Sequence, residues 1–108
     1  MVDYELNELK REFLDEAREK VAEMQSALGN VHDHSALDRL AYLAHQLKGS
    51  GGSYGYQKIS TDAAEIEKVV ERLAGGAKAA EVEGKLQQHA VNLRAEIHKA
   101  SRELSSGV

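Results

Sequence analysis

Between His45 and Gly55 the chain reads HQLKGSGGSYG, which puts a histidine, a lysine and four glycines into about three helical turns. An imidazole of ordinary pKa, about 6.5, is mostly neutral at pH 7 and above, so it can attack phosphorus without a general base. The glycines need a separate reason. If Gly49, Gly51 and Gly52 are helical, they cost together about 2–3 kcal/mol relative to alanine. A small domain has a net stability of only roughly 5–15 kcal/mol, so something other than stability is expected to explain them.

Read as a helix, this segment has its apolar stripe at Leu37, Leu40, Ala44, Leu47 and Gly51, centred about 120° around the axis from His45. The histidine is therefore expected to face outward. Its neighbours one turn away are Ala41, Tyr42, Lys48 and Gly49, and Gly52 follows two turns along. Three of these five positions carry a methyl group or nothing, leaving a lane along which another macromolecule's backbone can approach the ring. Lys48 places a cation within reach of any anion attached to it. An exposed nucleophile, a bare approach and one positive charge suit phosphoryl transfer, with the metal ion and carboxylates supplied by the partner.

The elements that must hold this segment are helical throughout. Apolar residues recur in steps of three and four at Leu6, Leu9, Phe13, Ala17, Val21, Met24 and Leu28, which predicts a first helix over Asp3 to Leu28 stopped by Gly29-Asn30. The second helix is expected to start at Asp33 or Ser35, either of which can cap it. A third carries Tyr56, Ile59, Ala63, Ile66, Val70 and Leu73 and ends at Gly75-Gly76; a fourth carries Val82, Leu86, Ala90, Leu93, Ile97, Ala100 and Leu104. Beyond Leu104, the tail Ser105 to Val108 is expected to fray. No segment alternates with the period of a strand. Four amphipathic helices joined by short Gly, Asn and Ser breaks predict an all-α, antiparallel four-helix bundle, one domain over 1–108 with its core at 3–104.

Composition narrows the function. With 108 residues, 42% of them hydrophobic, the chain can bury one modest core, and its single Phe and lack of Trp leave that core to Leu, Ile, Val and Ala. A net charge of −4 argues against a nucleic-acid partner. The absence of cysteine removes disulfides and thiolate metal sites. MVDYELNELKREF is charged throughout and no apolar run is long enough to span a bilayer, so no membrane insertion is expected and the protein is read as cytoplasmic.

The remaining polar candidates have plainer readings. His32-Asp33-His34 reads as a helix cap between exposed side chains, so no metal site is expected. His89 and His98 lie on or beside the fourth stripe without the i, i+4 spacing of a helical metal pair, and are read as core-edge packing. Tyr42 and Tyr56, near apolar stripes, read first as structural aromatics and second as docking contacts. Gly75-Gly76 lacks the Lys-Ser/Thr and the preceding strand of a phosphate loop.

The run AHQLKGSGGSYGY, with His45, Leu47, Lys48, Gly49 and Gly55, resembles the H-x-L-K-G motif of the histidine-phosphotransfer (HPt) domain family. Ile59-Ser60 and Ile66-Glu67 resemble that family's next helix, and FLDEAREKVAEM the helix that precedes the motif. Tyr54 stands where the family usually has an aliphatic residue. The resemblance implies that His45 is the phosphorylated residue, that Lys48 stabilises the phosphoryl group, and that Gly49 leaves room for a receiver domain. Ala41, Tyr42, Gln46, Gly49 and Gly52 then form the docking face. The implied partners are a response-regulator receiver domain and a sensor histidine kinase, met by a monomer with no cofactor and no nucleotide site of its own.

Two alternatives share the fold: a non-catalytic helical docking module, and the substrate domain of a chemotaxis-type kinase. The dimerising hairpin of a sensor kinase fits less well. Four stripes lie in one chain, and HQLKG lacks the acidic residue and Arg that follow that family's histidine.

Overall fold

The structure, a computed structural model, describes residues 4–106. The expected helix start at Asp3 and the last two residues, Gly107 and Val108, lie outside them. Four helices follow one another: α1 Tyr4–Ala27, α2 His34–Ser53, α3 Gln57–Ala74 and α4 Ala79–Ser106, with a 3-10 turn at Leu28–Asn30 between the first two. No strand occurs among the described residues. Each helix packs on the next, and α4 returns to α1, so the bundle closes with the α2–α3 edge opposite the α4–α1 edge.

Local chemistry sets the helix ends. The Asp33 carboxylate caps α2 by accepting from the Ser35 amide at 2.9 Å. At its other end the Tyr56 amide donates to Gly51 O at 2.7 Å and the Gly55 amide to Gly52 O at 3.2 Å, a Schellman closure that needs the left-handed φ of +83° at Gly55. Helix α3 closes in the same way through Ala77 to Arg72 and Gly76 to Leu73, with Gly76 at φ +104°. Tyr56, expected on the third helix's stripe, instead precedes its first turn. Ser105 and Ser106 extend α4, and the Ser106 hydroxyl donates to Arg102 O at 2.8 Å.

Among the described residues the core is apolar only, with no buried polar or charged residue, and the predicted stripes supply most of it. Leu14, Leu43 and Val69 join them as a second row on their helices. Phe13 stacks on Tyr54 at 5.3 Å and on Tyr56 at 6.0 Å between ring centroids, which pins the α2–α3 turn against α1. Tyr54 is thus the docking point of the junction. Leu6 and Leu9, expected in the core, are 39% and 47% exposed. They precede Phe13 and so lie beyond the turn where α2 ends and α3 begins. The chain is 51 Å long, whereas the twenty residues of α2 span about 30 Å. Leu104, near the other end of this overhang, is half-buried.

Candidate functional site

The close approach of α2 and α3 begins at Gly51. A Cβ there would lie 3.2 Å from both Ile59 Cγ2 and the Ser60 amide nitrogen, so glycine is what lets the two helices meet at this depth. The Ser60 hydroxyl donates to Lys48 O at 2.8 Å and adds a polar tie. Two turns further along the same face of α3 stands Glu67, which brings a carboxylate beside α2.

Glu67 bridges two α2 side chains. Its Oε2 lies 2.9 Å from His45 Nδ1, and its Oε1 accepts from Lys48 Nζ at 3.0 Å. Exposure differs sharply across the trio: the His45 side chain is 71% exposed, Lys48 44% and Glu67 only 17%. The Lys48 ammonium holds the Glu67 carboxyl below its ordinary pKa against the opposing pull of partial burial, and the His45 contact adds a smaller lowering. An ionised carboxylate can only accept, so in the neutral ring Nδ1 carries the proton and Nε2 keeps its lone pair. Nε2 belongs to a side chain that is 71% exposed, and no side chain among the described residues hydrogen-bonds to it.

Around this trio the expected docking residues separate. Gly49 is exposed, and a Cβ there would have nothing within 4 Å. Gly52 is exposed too, but its Cβ would touch the Ser60 hydroxyl at 3.6 Å, so it leans toward α3. Ala41 is half-buried and packs against the core. Tyr42 is 51% exposed and stands outside the core. The ring is braced on the surface: its hydroxyl accepts from Gln46 Nε2 at 2.7 Å, and the Arg39 guanidinium lies 5.3 Å from its centroid. Arg39 is itself held by both carboxylate oxygens of Glu23 on α1. Tyr56 keeps its structural role through Phe13.

The other histidines stay apart from the trio. His32 and His34 are exposed beside the α2 cap, and no group of three metal-ligating side chains occurs among the described residues. His89 is half-buried, its Nδ1 3.3 Å from Asp62 Oδ1, which is core-edge packing between α3 and α4. His98 is exposed and not at the core edge, because it sits one residue beyond the buried Ile97. Glu67 is the functional candidate that spacing along the chain does not single out, since its contact with His45 depends on how α2 and α3 are registered.

A family model described as the Hpt domain matches residues 8–103, nearly the whole chain. The chain belongs to the Hpt domain family. Hpt domains are phosphotransfer modules of two-component signalling that work with kinases and receiver domains, and they are helical bundles like this one. Neither the curated proteins nor the solved structures gave a significant match. No helix among the described residues is long and apolar enough to cross a membrane.

Proposed function

We propose that this Hpt domain is a phosphocarrier that takes its phosphoryl group on His45 Nε2 and exchanges it with the aspartate of a receiver domain. The observation that carries this reading is the Nδ1 contact to Glu67, because it fixes the tautomer in which Nε2 is the free nucleophile. In the forward step the Nε2 lone pair forms the N–P bond as the acyl-phosphate P–O bond breaks, and the receiver regains its carboxylate. No proton has to move. The ring becomes an imidazolium whose Nδ1–H stays on Glu67, and that charge-assisted bond strengthens as the positive charge develops.

Lys48 has two successive tasks in this scheme. In the unphosphorylated protein its ammonium keeps Glu67 ionised; after transfer it is near enough to shift part of its bonding to the phosphoryl oxygens. Gly49 gives the receiver a flat approach on one side of His45, and Tyr42 with Gln46 offers a braced contact on the other. The chain then acts as one monomeric cytoplasmic module, the kinase or receiver supplies the metal ion, and no nucleotide site is needed.

The deciding experiment is incubation with a receiver domain phosphorylated on its aspartate. Acid-labile label should appear on the protein and vanish in His45→Gln with helical content unchanged. Label that persists in that variant, or maps to His89 or His98, overturns the assignment. A docking module without phosphoryl chemistry would bind the receiver and take no label.

A further inference from the structure

The edge of the bundle opposite His45 carries a surface that the transfer reaction does not use. Between α1 and α4 runs a groove of about 580 Å³ with a floor of Val21, Ala22, Val91, Ala95 and Ile97. Val91 is 55% exposed there. Arg18 and His98 line this groove and also a second one of about 800 Å³ that continues toward the end of α4. The two make one trough along α4 from Val91 to Ser106, about 22 Å or four helical turns.

Its rim is basic in a chain whose net charge is −4. Arg18, Arg94, His98, Lys99 and Arg102 line it, against one carboxylate, Glu103. Elsewhere half of the ten other lysines and arginines are paired: Arg11 with Glu8, Arg39 with Glu23, Lys48 with Glu67, Lys58 with Glu96 and Lys68 with Glu65. Arg94, Lys99 and Arg102 form no ion pair among the described residues, and Arg18 donates only to the Ser101 hydroxyl at 3.1 Å.

We infer that this trough is a second docking site, and that its occupant is an acidic amphipathic helix of a partner protein. A concave apolar floor takes the ridge of a helix, and a rim of uncommitted cations selects carboxylates on its flanks. A second copy of this chain is a poor occupant, because a two-fold contact would set the Arg18 and Arg94 rims against each other. A bilayer is also a poor one, since it requires a broad convex apolar face and the floor here is recessed. Because the α4–α1 edge lies across the bundle from His45, both partners can be held together, tethering the carrier while it transfers.

The test titrates the whole ¹⁵N-labelled chain with a synthetic helix of about 16 residues, or about 24 Å, with leucines on one face and glutamates flanking them. Saturable shifts are expected at Val21, Ala22, Val91 and Ala95, weakening with added salt, and none with the same peptide carrying lysine for glutamate. Val91→Asp and, separately, Arg94→Glu should each weaken binding about tenfold, and both lie on the surface where the fold tolerates them. Phosphoryl labelling of His45, read on the same samples, should be unchanged by the peptide, so failure of the groove and failure of the transfer reading are distinguishable. Shifts centred on Tyr42 or Leu9, or equal binding of the lysine peptide, would overturn the inference. So would self-association through Val91, or retention on phosphatidylserine vesicles, without peptide binding.

Discussion

At the scale of single residues, the three-way contact of His45, Glu67 and Lys48 ties the tautomer of His45, the proposed nucleophile, to the ionisation of one carboxylate. Replacing Glu67 by Gln keeps an acceptor for Nδ1 but loses the charge that steadies the imidazolium, and the transfer rate measured with a phosphorylated receiver should fall about tenfold. The same variant tests linkage to folding. Glu67 is held below its ordinary 4.5 in the folded chain, so as pH falls the unfolded state takes up this proton first. The stability it contributes is complete above the ordinary carboxylate value and disappears as pH drops through the depressed one. Urea midpoints of the wild type and Glu67→Gln should therefore converge as pH is lowered from neutral to below 4.5; a gap that stays constant would show that the ion pairs add nothing. Lys48→Ala, at a half-exposed site, should shorten the phosphohistidine lifetime through loss of about 0.5–1 kcal/mol of screened attraction. His45 and Lys48 are legible in the sequence because one turn of one helix brings them together. Glu67 is not, because nineteen residues and an inter-helix register separate it from Lys48.

At the scale of elements, the glycines of α2 divide into separate jobs that their spacing alone leaves merged. Gly55 closes the helix with a left-handed backbone, Gly51 lets α3 approach, and Gly49 faces open space. Alanine therefore has opposite effects at two positions one half-turn apart. Gly49→Ala should raise stability by roughly 0.5–1 kcal/mol, since it meets nothing and gains helix propensity. Gly51→Ala drives a methyl against Ile59 and the Ser60 backbone and should cost roughly 1–3 kcal/mol. It should also slow transfer by moving Glu67 away from His45. Gly49→Gln separates stability from docking: its melting temperature should hold or rise while transfer to the receiver declines. A destabilised Gly49→Gln would place that glycine in internal packing, and a stable one with full transfer would show that the lane is not the docking surface. The stripes, the Asp33 cap and the Gly75-Gly76 stop could be read from the chain because each depends on residues within a turn or two of one another. Tyr42 could not, since its exposure depends on where α1 passes and how Glu23 holds Arg39 beside it.

At the scale of the whole molecule, the bundle is four helices deep only as far as Phe13. Periodicity marks which face of a helix is apolar but carries no information about where its neighbours stop, which is why Leu6 and Leu9 continue the α1 stripe and are still exposed. Stability should be graded along the long axis accordingly. Around Leu14, Leu40, Leu47, Leu86 and Leu93, all at or below 1% exposure, amides open only when the whole bundle does. Amides from Tyr4 to Leu9 need only the overhanging turns to fray. Native-state hydrogen exchange should resolve the two classes, with protection factors in the overhang lower by at least about two orders of magnitude. Phe13 is the boundary between them. Phe13→Ala removes the ring on which Tyr54 and Tyr56 stack, should cost about 3–5 kcal/mol, and should extend fast exchange from the overhang into the α2–α3 turn. The His45–Glu67 contact lies two to three turns beyond that junction, toward the fully packed part of the bundle. If loosening at Phe13 spread instead to the amides around Leu47 and Ile66, the site would be carried by the turn and not by the four-helix core, and the protein would be one cooperative unit from end to end.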